Sequence, residues 1–300
     1  MPGLRIASLL PSATEICHLV GLGSNLVGVS HECDYPAGVS ALPRLTSSRI
    51  DSSARGKDID AQVREALSEG LSLYDVDREA LRAAAPDLVI TQDTCEVCAV
   101  SREDVVASVR QHLGPHVEVL SLQPKTLADV FDDILGIARV GDVQPQGERA
   151  VEALRGRLEA LAATRPEVEP RVLFLEWLEP PMVAGHWTPE LLRIAGTRPV
   201  LGHEGGPTMG RDWAEIEQAD VDLVVLAPCG YPLEKTKADV AAARAQGGLA
   251  GLFDKGPVWA IDGNAYFNRS GPRLVDSAEI VAGIVRGEPA IPGVAEPLSA

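Results

Sequence analysis

Cys95 and Cys98 stand in a C-x-x-C spacing, which suits a thiol–disulfide couple at a helix N-terminus or one half of a metal site. No second C-x-x-C completes a four-thiolate set. Cys33 and Cys229 could supply the missing ligands for Zn or Fe if their loops converge, with His31 or Glu32 as substitutes. The same four thiols read equally as small side chains filling gaps around a ligand. Five cysteines in 300 residues are too few, and odd in number, for a disulfide scaffold, so reduced thiols are expected.

Ring placement is the second chemical signal. The chain has four Trp, four Tyr and four Phe, so its core must be largely aliphatic. Many of these rings fall just after predicted strands: Tyr35 in Ser30–Pro36, Trp177 after Glu176, Trp187 after His186, Tyr231 after Cys229-Gly230, and Tyr266 with Phe267 in Asp262–Phe267. Tyr74 lies in a long insertion, Asp51 to Asp75, that reads as loop-rich. In open parallel sheets ligands bind beyond the carboxyl ends of the strands. A single ring there is as well explained as a lid over the core, whereas the set marks a binding cleft. His186 reads as a ligand, a hydrogen-bond donor or a structural loop residue. The chain has no G-x-x-x-x-G-K-[ST], no G-x-S-x-G and no H-E-x-x-H, so no signature of phosphoryl transfer, serine hydrolysis or zinc proteolysis is present.

The elements that must position these residues follow a strand–helix alternation. Leu4–Leu10 reads as a buried strand broken by Pro11. Ser12 and Glu15 then form a capping box for a helix that ends at Gly21 and Gly23, and Leu26–Val29 is the next strand. The pattern continues with a helix over Asp77–Ala85, strands at Leu88–Thr91 and Val117–Leu120, and a helix over Ser101–Leu113. In the second half, Arg171–Leu175, Leu223–Leu226 and Val258–Ile261 read as strands. Helices begin at Thr188 and near Asp212, Pro232 and Pro272, and the tail from Pro289 reads as irregular. Between the halves, Leu127, Val130, Phe131, Ile134, Leu135 and Ala138 keep helical spacing, and Val151, Leu154, Leu158 and Leu161 do so again after Gly141-Asp142. The expected fold is α/β, with two Rossmann-like lobes of parallel sheet. The lobes span 1–124 and 169–300, a helical spine spans 125–168, and the ligand cleft lies between the lobes.

With 27 Lys+Arg against 43 Asp+Glu, the formal charge of −16 argues against a nucleic-acid face. No run of 18 apolar residues exists to span a membrane. Pro11 and Glu15 interrupt the first apolar stretch before it reaches the length of a secretory leader, so a cytoplasmic location is expected.

Three stretches, Arg5 to Gly23 (RIASLLPSATEICHLVGLG), Val27 to Pro36 (VGVSHECDYP) and Asp87 to Val100 (DLVITQDTCEVCAV), resemble the helical-backbone, or class III, substrate-binding proteins. The likeness is to their vitamin B12- and iron-complex-binding branch. Ala184 to Gly196, Ala227 to Tyr231 and Asp262 to Arg273 are similar to a cobalamin-binding-protein-like subgroup. The resemblance implies two α/β lobes joined by a long helix, with a cobalamin-like corrinoid or iron chelate held by Tyr35, Tyr74, Trp187 and Tyr231, and by Trp177 and Tyr266. It implies an ABC permease as partner only for an exported protein. The expected activity is therefore ligand binding rather than catalysis. The alternative is a metal-binding or thiol-redox enzyme or sensor using Cys33, Cys95, Cys98 and Cys229.

Overall fold

The computed structural model of the protein describes residues 3–68, 73–92 and 113–299. The chain divides into two compact units, one of Met1–Ala54, Asp58–Pro124 and Ala128–Ala153, the other of Arg55–Lys57, Lys125–Leu127 and Leu154–Ala300. Cys95, Cys98 and nearly all of the helix expected over Ser101–Leu113 lie outside the described residues.

In the first unit the order is β1 (Ile6–Ser8), α1 (Pro11–Leu19), β2 (Leu26–Val29), β3 (Thr46–Ser48), α2 (Gly56–Ser68), β4 (Tyr74–Val76), α3 (Arg78–Ala84), β5 (Leu88–Gln92) and β6 (Glu118–Leu122). The strands β2-β1-β5-β6 form a wholly parallel sheet. Ile6, Ala7, Leu88, Val89 and Ile90 are buried, as continuous apolar runs in a two-sided parallel sheet should be.

Two expectations fail here. Ser12 and Glu15 form no capping box: α1 starts at Pro11, Leu10 sits at the N-cap without a side-chain bond, and Ser12 and Glu15 are buried within the helix. Proline at the first helical position lacks only an N–H that would be unpaired anyway, so Pro11 opens the helix rather than delaying it. The insertion Asp51 to Asp75 is also not loop-rich. It holds all of α2, and β4 pairs antiparallel with β3.

Helices α4 (Leu127–Val140) and α5 (Gln144–Ala162) follow, separated at Gly141-Asp142 as their apolar spacing requires. Val130, Phe131, Ile134, Ile137, Val151, Leu154 and Leu158 are among their buried residues. The boundary between the two units falls within α5.

The second unit continues with β7 (Arg171–Leu178), β8 (Pro181–Val183), α6 (Thr188–Ile194), β9 (Arg198–Val200), β10 (Met209–Gly210), α7 (Trp213–Gln218), β11 (Leu223–Leu226), α8 (Leu233–Ala245), α9 (Ala250–Phe253), β12 (Val258–Ile261), α10 (Leu274–Val285) and β13 (Ala295–Leu298). Its sheet runs β10-β8-β7-β11-β12-β13, with β9 also paired to β7. The centre, β7-β11-β12, is parallel; β8, β10 and β13 are antiparallel additions. The tail expected to be irregular thus contains a strand: Ala295 to Leu298 pair with Ile261 to Val258. Its alternation is masked by Pro297, which an edge strand tolerates. Leu173, Leu175, Val224, Leu226, Val240 and Leu252 form the centre of this unit's core.

Candidate functional site

In the first unit, the ends of β1 and β2 carry small polar side chains bonded to one another. Thr14, in the first turns of α1, lies 2.9 Å from Ser8 Oγ and 3.2 Å from Cys33 Sγ. Ser30 Oγ accepts from Thr46 Oγ1 at 3.1 Å, and Thr46 Oγ1 accepts the backbone N–H of His31 at 3.0 Å. His31 Nδ1 lies 2.7 Å from the same hydroxyl. Arg44 pins the turn by donating to the carbonyls of Ser30 and Cys33 at 2.9 and 2.6 Å. Ser8, Thr14, Ser30, Cys33 and Thr46 are all buried. Such a network rigidifies because every buried hydroxyl has a partner.

Rings border this network. Tyr74 lies with its ring centroid 5.2 Å from His31, and its hydroxyl donates to Glu32 Oε1 at 3.3 Å. Tyr35 is 48% exposed. Burial holds the His31 imidazole below its ordinary pKa against the pull of Glu32, and Arg44 lowers it further.

The thiols divide by environment. Cys33 is buried and bonded to Thr14, and Cys17 is buried as well. Burial, then the neighbouring Cys33, pushes the Cys17 thiol up to about 12, so it is inert as a nucleophile. Cys229 is exposed in the second unit. Among the described residues no group of three or more His, Cys, Asp or Glu is placed to hold a metal ion.

In the second unit the same topological position is built from large rings and a buried acid. Glu176, near the end of β7, is buried; its carboxylate accepts the Gly185 N–H at 3.3 Å and the Thr208 hydroxyl. Burial pushes its carboxyl up to about 7, against the opposing hydrogen bonds of Thr208, Gly185 and Thr188. These bonds anchor the loop carrying His186 and Trp187, whose rings lie 5.6 Å apart. Trp187 Nε1 donates to the Phe267 carbonyl at 2.6 Å. His186 adopts a φ of 50°, and its Nδ1 is buried without a hydrogen-bond partner. Burial and Lys125 hold that ring below its ordinary pKa.

The loops here cross with no spare room. A Cβ on Gly185 would stand 2.4 Å from Thr208 N, and one on Gly263 would stand 2.1 Å from the Pro228 carbonyl oxygen, so both must be glycine.

Trp177 and Tyr231 form a second pair, edge to face with centroids 5.1 Å apart. Trp177 Nε1 donates to the Glu179 carbonyl at 3.1 Å, and Lys235 Nζ lies 4.4 Å above the Tyr231 ring. Tyr231 is buried and therefore supports Trp177 rather than presenting its own face. Together they line a cavity the size of a single water, with Gly56, Glu179 and Asp239. Gly56 N donates to Asp239 at 3.2 Å. Tyr266 lies apart from both pairs, in an open groove of about 650 Å³ between α10, the tail and α5, which Trp259 also lines.

Sequence reasoning pointed to the rings but missed what holds Trp177 and Trp187 in place. Thr208 lies 32 residues from Glu176, and Gly56 lies 183 from Asp239, so no local pattern announces either pair.

The family model for periplasmic binding proteins matches residues 6–251. The chain belongs to that family. The vitamin B12-binding protein of Vibrio cholerae is 26% identical over 283 residues, covering 93% of this chain and 88% of that one. An uncharacterized ABC transporter substrate-binding lipoprotein of Bacillus subtilis is 21% identical, covering 93% and 78%.

Among solved structures, the periplasmic vitamin B12 binding protein of Vibrio cholerae is similar with a TM-score of 0.65 at 25% identity, over 95% of this chain and 97% of that one. A periplasmic heme binding protein of Pseudomonas aeruginosa reaches a TM-score of 0.69 at 20% identity, over 99% and 95%, and so shares the fold. Members of this family bind small-molecule ligands, and the two-lobe α/β architecture expected from the sequence is theirs.

Proposed function

We propose that the chain binds a cobalamin-like corrinoid or a related metal chelate non-covalently, without altering it chemically. The observation that carries this reading is the set of half-buried indoles at the strand ends of the second unit. Trp177 and Trp187 are each fixed by a ring N–H bond to backbone, leaving their faces as stacking platforms for a flat apolar ligand. The vitamin B12-binding relative, aligned over nearly the whole chain, supports the corrinoid as first choice.

Tyr35 and Tyr74 of the first unit and His186 of the second are the remaining contacts in this proposal. Calorimetric titration with hydroxocobalamin tests it: saturable heat is expected, and Trp187→Ala should weaken binding roughly tenfold or more, the loss of one well-placed aromatic contact. Absence of both heat and any spectral change at high concentration would count against a corrinoid. Delivery to an ABC permease is the corresponding partner role. Fractionation of the source cells checks it, because recovery only from the cytoplasm would remove an external receptor role.

A further inference from the structure

We propose that Glu176 couples ligand binding to proton uptake, as a positioning residue beneath the Trp187 loop that is neutral when the site is filled. This rests on the reading above that a corrinoid stacks on that loop. A β-bulge aims the side chain. Val183 pairs with Leu175 and Met182 with Trp177, so Glu176 has no partner across from it on β8. Its carboxyl turns instead to the Gly185 N–H and to the hydroxyls of Thr188 and Thr208, all neutral groups. Only 8% of the residue is exposed.

The charges on the surrounding elements are engaged elsewhere. Strands β8 and β11 carry none. The loop brings His186, whose ring faces Lys125, and the turn after β11 brings Cys229, whose N–H donates to the Glu176 carbonyl at 3.0 Å. Glu190 of α6 accepts the Leu127 N–H at 3.3 Å, and Glu179 beyond β7 faces Arg55. Past Thr208, Arg211 donates to Glu215 and to the Leu201 carbonyl. Among the described residues no cation bonds to the Glu176 carboxyl, so its ionised form is the costly one. The acid fits without rearrangement, because the Thr208 hydroxyl accepts a carboxylic O–H as readily as it donates to a carboxylate. A flat ligand on Trp187 removes the last water from this carboxyl. Binding therefore draws a proton from solvent onto Glu176, and no bond to the ligand forms or breaks.

Burial holds the carboxyl at about 7 in the ligand-free protein, and the ligand raises it further. Below about 7 both states carry the proton, so Glu176 adds no pH dependence to binding. Above that, affinity falls by at most about tenfold per pH unit.

Calorimetric titration with cyanocobalamin from about pH 5 to about pH 8.5, in buffers of differing ionisation enthalpy, tests this. Cyanide occupies the cobalt of that probe, so the probe does not itself titrate in this range. The parent is expected to take up as much as one proton near pH 8 and to lose affinity above about pH 7. Glu176→Gln keeps an acceptor for Gly185 and a partner for Thr208, and should bind without proton uptake and with a flat profile. His186→Gln should keep the uptake. Infrared difference spectra of the unaltered protein near pH 8 should gain the carbonyl stretch of a carboxylic acid when cyanocobalamin is added, a readout that does not depend on any variant folding. Uptake that survives Glu176→Gln, or a parent with neither proton uptake nor that band, overturns the inference and leaves the ligand reading standing. Absence of binding at every pH removes the corrinoid reading, and this inference with it.

Discussion

The strand ends of the two units do the same positional job with opposite materials. In the first unit, hydroxyls and a thiol bond to one another and hold an imidazole, and the Tyr74 ring beside them donates to a carboxylate. In the second, indole N–H groups bond directly to backbone, a buried carboxyl fastens their loop, and glycines let loops touch. The second unit thus keeps large flat faces still, whereas the first orients a polar ring through small, mutually bonded side chains.

The largest effect should come from the glycines. Gly263→Ala drives a Cβ into backbone that cannot step aside, and a loss of about 3 kcal/mol or more in urea unfolding is expected. Gly28→Ala in β2 first meets the Leu45 side chain, at 2.7 Å, and should cost about 1–2 kcal/mol. Equal losses would erase the contrast.

Glu176 comes next. Its folded-state pKa lies above its unfolded value, so the native state holds more protons between about 4.5 and 7. Its contribution is complete below that window and is lost as pH rises through about 7, by at most about 3 kcal/mol. Glu176→Gln should therefore flatten the fall in stability between pH 5 and 8 relative to the parent. An unchanged pH profile would show that the buried acid is not linked to folding.

Thr46→Val leaves the Ser30 hydroxyl and the His31 N–H without their partner and should cost about 1–3 kcal/mol. Trp187→Phe keeps the ring but loses the bond to Phe267, for about 1 kcal/mol and a reduced near-ultraviolet dichroism. If Trp187→Phe proved costlier than Thr46→Val, the first unit would be the looser of the two.

The sheet strands were legible because Leu88–Ile90 or Leu223–Leu226 can only be buried, and the rings were legible because strand ends in such sheets are known in advance. Helix α2 was not, since Ile59 and Val63 are a thin stripe among charges, and Pro11, read as the end of a strand, also opens α1 because proline fits the first helical position. The supports of the site were illegible for a different reason. Thr46 beside His31, or Thr208 beside Glu176, are common residues given meaning only by topology that brings distant loops together.

The antiparallel strand β13 has a consequence for synthesis. It covers the outer edge of β12, yet Leu298 leaves the ribosome about 37 residues after Ile261. At roughly 5–20 residues per second, the apolar Val-Trp-Ala-Ile edge stays uncovered for roughly 2–7 s in every nascent chain. The last strand thus acts as a timer on solubility, and substitutions that slow its arrival or weaken its pairing should appear first as poor yield rather than as altered binding.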